Sequence, residues 1–151
     1  MTTHVKYISD SLFTDASVLA DQLLERSPVM RGKIAMAVGC RPNQVHEHLV
    51  EVIRFMQLVS NSPTTLTPSL RVDLVWHEFI LFTREYARFC EEQFGHFIHH
   101  TPGGSRADNH QQYRNTLRQY NQIFGPPKMS FWANPFLDPD TSGCGACDGY
   151  A

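Results

Sequence analysis

Apolar residues recur three and four positions apart along most of the chain, and no segment sustains the two-residue alternation of a half-buried strand. From Leu12 to Arg26 the apolar positions Phe13, Ala16, Ala20, Leu23 and Leu24 share a face, with Ser11 or Thr14 able to cap the start. Ser27-Pro28 then predicts a stop and restart, Ser as N-cap and Pro at the first helical position, and Gly39 closes the short helix after Val38. A third helix runs from Gln44 to about Ser60 on the stripe Val45, Leu49, Val52, Met56 and Val59. Thr67 and Pro68 open the longest pattern, which continues to Gly95, and a last helix spans about Arg106 to Phe124. Its face is His110, Tyr113, Leu117, Tyr120 and Phe124.

These periods predict an all-α fold: one domain, a bundle of four to six helices around a central buried helix at 70–95. Residues 1–10 read as a loose arm. Residues 126–151 read as an irregular tail whose Phe131, Trp132 and Phe136 pack back on the body, with 140–151 mobile. At 151 residues the chain can bury a core without staples.

Within 70–95 the wheel places Val75, Phe79, Phe82, Tyr86, Phe89 and Cys90 opposite His77. Leu70, Leu74, Ile80 and Leu81 surround His77, so the first half reads as apolar almost all round. Two polar residues, Asp73 and His77, stand in that frame at i and i+4 and are therefore neighbours. Burying an aspartate without a partner is expensive. Two explanations fit: a hydrogen-bonded pair that fixes helix packing, or a site in which His77 is a ligand or base and Asp73 a co-ligand or its orienting carboxylate.

Eight histidines bear on that choice. His96, His99 and His100 form a cluster beyond the helix, which reads either as C-terminal capping or as further ligands. A straight helix would put them about 30 Å from His77, so one shared site needs a break or a fold-back near Gly95. His48, His110 or Glu51 on other helices are alternative partners. His46 and His48 point about 200° apart on a helix and do not suit one ion. Two or three imidazoles with a carboxylate suit Zn²⁺, and a two-histidine, one-carboxylate set with open positions suits Fe²⁺. Cys144 and Cys147 form a CxxC on a Gly-rich tail, half a zinc site or a contact between chains, whereas Cys40 and Cys90 read as buried small apolar residues.

A formal net charge of -2 argues against nucleic-acid binding. No apolar run is long enough to span a membrane, and MTTHVKYISD lacks the features of a signal peptide, so a cytoplasmic location is expected. No Walker A loop, GxGxxG, GxSxG or HExxH is present. A protein partner or a homo-oligomer remains compatible. The rival to a metal-binding Asp/His protein is thus a metal-free interaction module with a structural Asp73–His77 pair.

The run Val72-Asp73-Leu74-Val75-Trp76-His77 resembles the core of the glycine-rich domain-containing protein-like family. The resemblance covers roughly residues 45–125, including Tyr86, Cys90, Phe94-Gly95 and the His99-His100-x-Pro102 exit. It implies that Asp73, Trp76 and His77 act as a unit, with Trp76 in support, and it implies no particular reaction. Many members continue Trp-His-x-His. Phe79 stands at that second position here, which moves the burden to His99 or His100.

Overall fold

The structure, a computed structural model, describes residues 12–101 and 105–133. The expected N-terminal arm, Phe136 and the Cys144/Cys147 tail lie outside the described residues. Among the described residues there are six α-helices and no strand: α1 (Ala16–Arg26), α2 (Pro28–Val38), α3 (Val45–Asn61), α4 (Leu70–Leu81), α5 (Thr83–Phe94) and α6 (Arg106–Phe124). The all-α single domain is as the periodicity predicts.

Capping chemistry sets several boundaries. Asp15, rather than Ser11 or Thr14, starts α1, because its carboxylate accepts the Ser17 N–H at 2.8 Å. Pro28 opens α2 and Gly39 ends it at φ 69°, in the left-handed region that glycine enters without strain. Ser69, not Thr67, caps α4 by accepting the Val72 N–H at 3.2 Å. Thr67 is occupied elsewhere. Its N–H donates to Thr116 Oγ1 at 3.0 Å, and the Thr116 hydroxyl donates back to the Thr67 carbonyl at 2.8 Å, tying the loop before α4 to α6.

The central element is α3, not the 70–95 stretch. It packs against α1, α2, α4 and α6, and is buried on most sides, from Val45 through Leu49, Val52, Ile53, Phe55 and Met56 to Leu58. By contrast α4 buries one face, Val72, Asp73, Val75, Trp76 and Phe79, while Leu70, Leu74 and Leu81 are exposed. An apolar surround on a wheel says what could be covered, and the number of neighbouring helices decides what is covered.

Two helices, not one, occupy 70–95. The chain leaves helical geometry at Phe82 (φ -81°, ψ 65°) without a proline or glycine. Tertiary packing outweighs local propensity here. The break lets Tyr86 and Phe89 pack edge-on against Phe79, with ring centroids 5.0 and 5.5 Å apart, so α5 folds back on the core instead of running into solvent. Gly95, at φ 72°, then ends α5, and residues 96–101 return toward α4.

After α6 the chain packs back as its aromatics predict. Trp132 is fully buried, and its indole N–H donates to Glu51 Oε2 at 2.8 Å. Tyr120 donates to the same oxygen at 2.7 Å, so the buried Glu51 carboxylate holds α3, α6 and the returning chain together.

Candidate functional site

Three residues meet where the returning segment crosses α4. Asp73 has no exposed surface, and its Oδ1 lies 2.6 Å from His100 Nε2. His77 stacks obliquely on His100 with centroids 4.2 Å apart, and Trp76 flanks His100 at 4.4 Å. The His77 Nδ1–H donates to the Asp73 carbonyl at 2.8 Å, and the same nitrogen lies 3.4 Å from Asp73 Oδ2. In a neutral ring this places the lone pair on Nε2, as a ligand or base needs. One potential donor atom from each of Asp73, His77 and His100 lies within 4.8 Å of the others.

Each side chain has a local reason to be there. Asp73 and His77 are one turn apart on α4 and share a face. His100 arrives by the double reversal at Phe82 and Gly95, so the geometric objection to one site falls away: the 30 Å of a straight helix is never travelled. Tyr86 holds the returning segment. Its hydroxyl donates to the Ile98 carbonyl at 2.5 Å and accepts the Trp76 indole N–H at 3.1 Å. One phenol thus ties α4, α5 and the strand of chain carrying His100. Burial pushes the Tyr86 hydroxyl well above the usual tyrosine range, with the neighbouring Cys90 adding to the effect. Burial likewise raises the Cys90 thiol, which fits a packed residue rather than a nucleophile.

The other candidates lie elsewhere. His99 is exposed with its ring against Phe97 at 4.7 Å, and His96 is exposed with Nδ1 3.0 Å from the Phe94 carbonyl, so neither joins the group. His48 is buried with both nitrogens occupied: Nδ1–H donates to the Gln44 carbonyl at 2.8 Å, and Nε2 accepts from Arg71 at 3.2 Å. His46 lies 3.1 Å from Asp21, and His110 is half-buried on α6 outside the group. Glu51 is committed to Tyr120 and Trp132 rather than to His77. Cys90 is buried as expected, whereas Cys40 is only half-buried. Cys144 and Cys147 lie outside the described residues. The positioning role of Tyr86 is invisible in the pattern, where it occupies one more core-facing position of a helix.

A family model described as UCP032817-like matches residues 25–125, from the end of α1 to the turn after α6, and takes in all three site residues. The chain belongs to the UCP032817-like family. This corrects the resemblance to glycine-rich domain-containing proteins, which started from the run Val72 to His77 and was extended over roughly residues 45–125. A short run of this kind mostly records what one half-buried helix turn needs: Val72, Val75 and Trp76 inward, with an Asp and a His one turn apart. The UCP032817-like match spans five helices. No curated protein and no solved structure matches the chain. No helix among the described residues is long and apolar enough to cross a membrane.

Proposed function

We propose that Asp73, His77 and His100 bind a divalent transition metal, Zn²⁺ or Fe²⁺, through two imidazoles and one carboxylate. The observation that carries this reading is the convergence of these donors within 4.8 Å, from residues 27 positions apart in sequence, around a fully buried carboxylate. Three protein donors leave coordination positions for water or substrate, the arrangement of metal sites that do chemistry rather than only brace a fold. Ligand atoms around a tetrahedral ion with bonds of about 2.0–2.1 Å sit about 3.3 Å apart. Asp73 Oδ1 and His100 Nε2, at 2.6 Å, would therefore separate by less than an ångström as the ion replaces the shared proton. His77 and His100 are partly exposed, at 25% and 13%, which gives an ion a route in.

A second reading rests on the same 2.6 Å contact, which is also the length of a charge-assisted hydrogen bond. In it Asp73 is a clasp that holds the returning segment, and the protein works as a metal-free interaction module. Elemental analysis of protein purified without an affinity tag separates the two. The metal reading expects about one Zn or Fe per chain, lost in His77→Ala and His100→Ala and retained in His99→Ala and His48→Ala. Sub-stoichiometric Zn, Fe, Mn and Cu would sink it. Loss of metal only in Cys144→Ser/Cys147→Ser would move the site to the tail.

A further inference from the structure

The outer side of α4 carries a second pattern that the Asp/His group does not explain. Leu70, Leu74 and Leu81 are 38, 42 and 70% exposed. With the half-buried His77 they stand four, three and four positions apart along the helix. That is the a/d spacing of a helix seam, and it puts all four residues within about 60° of one another on the wheel. Single exposed leucines are ordinary on a protein surface. A row of them at seam spacing has the form of a face on which another helix docks.

The flanks of the seam indicate what covers it. On one flank stand Asp73, buried, and Ile80, half-buried. On the other stand Arg71, exposed, and Glu78, half-buried. Among the described residues Arg71 donates only to His48, at 3.2 Å, and neither Arg71 nor Glu78 lies within ion-pair distance of an opposite charge. We propose that the seam is the interface of a homodimer, in which α4 packs antiparallel to α4 of a second copy. The two-fold axis then passes between Leu74 and His77. Leu70 meets the partner's Leu81, and Leu74 meets the partner's His77. Antiparallel pairing brings like flanks together, so Arg71 lies beside the partner's Glu78, offset by about 3 Å along the axis, and symmetry makes this pair twice. A parallel pair would instead set His77 against the partner's His77, and Arg71 and Glu78 against the flank of Asp73 and Ile80. One patch thus supplies both the apolar row and the charges that complement it, as an interface between identical surfaces requires. The seam needs no ion, and the inference is independent of the metal reading.

A seam of about three turns buries less than a standard interface, so the dimer is expected to dissociate on dilution. Sedimentation equilibrium of the full-length protein between about 1 μM and about 1 mM measures this, with the mass rising from one chain to two. Leu81→Lys changes the most exposed member of the seam and leaves the core untouched. It is expected to raise the dissociation constant by about tenfold or more. Arg71→Glu and Glu78→Arg each set like charges against each other twice and are each expected to weaken the dimer by about tenfold. The exchange Arg71→Glu/Glu78→Arg restores the pairs and is expected to return the constant to within about threefold of the wild-type value. Three results overturn the proposal: a monomer at every concentration, a dimer that Leu81→Lys leaves unchanged, or a double exchange as weak as the single ones. If the Arg71→Glu chains do not fold without the bond to His48, Leu81→Lys and Glu78→Arg decide, and unchanged dimerisation in either overturns it.

Discussion

Replacing Tyr86 by Phe tests how the Asp/His group is held together. The substitution removes one oxygen and keeps the ring, so packing against Phe79 and Phe97 survives. It deletes two hydrogen bonds at once, leaving the Trp76 indole N–H and the Ile98 carbonyl without their partner. Both residues are buried, at 5% and 4% exposure, so water does not readily replace the hydroxyl. An unsatisfied buried polar group costs roughly 1–3 kcal/mol, and two of them with some relaxation give about 2–4 kcal/mol. Against a typical domain stability of roughly 5–15 kcal/mol the variant still folds. Urea denaturation followed by circular dichroism measures the loss, which should lower the midpoint at constant slope. His100 lies two residues beyond Ile98, so zinc affinity, if the metal reading holds, should fall by roughly tenfold, a loss of about 1.4 kcal/mol. Tyr113→Phe is the control. It removes a single bond, to the Ala133 carbonyl at 2.7 Å, away from the group, and should leave zinc affinity unchanged. A loss below about 1 kcal/mol for Tyr86→Phe, or equal effects of the two variants on zinc, would refute the idea that this hydroxyl positions His100.

Two further outcomes follow from the fold. Ser69→Ala should destabilise the protein by about 1 kcal/mol in urea denaturation through loss of the α4 cap, and no change would return the cap to Thr67. Burial raises Tyr86, Tyr113 and Tyr120 above the tyrosine value of 10.0, so in the folded protein all three stay protonated beyond the pH at which the unfolded chain releases their protons. Their contribution is fully present below about pH 10 and is lost as pH rises above it, at up to about 4 kcal/mol per pH unit for three protons. Thermal melts from pH 8 upward should show the decline, with phenolate absorbance from these residues appearing only on unfolding; their titration in the folded protein would contradict it.

Part of this molecule is written in local chemistry. The three- and four-residue spacing yields an all-α domain, Ser27-Pro28 and Gly39 bound α2, Gly95 ends α5, and Phe131 and Trp132 pack back as their cost in water requires. The pairing of Asp73 with His77 is equally local, since one helix turn is enough to make them neighbours. The break at Phe82 is not written there: no proline or glycine marks it, and it exists because Phe79, Tyr86 and Phe89 pack better on a folded-back helix. The third member of the site depends on that break, because His99 and His100 are equivalent by position in the sequence. The Tyr86–Ile98 hydrogen bond fixes the returning segment such that His100 faces Asp73 and His99 faces solvent. The sequence by itself thus determined the all-α character and the pairing of the buried Asp73 with the half-buried His77, through contacts within one or two turns. Only the tertiary structure decided that α3 is the central helix and that His100 completes the group, because both depend on contacts between residues far apart along the chain.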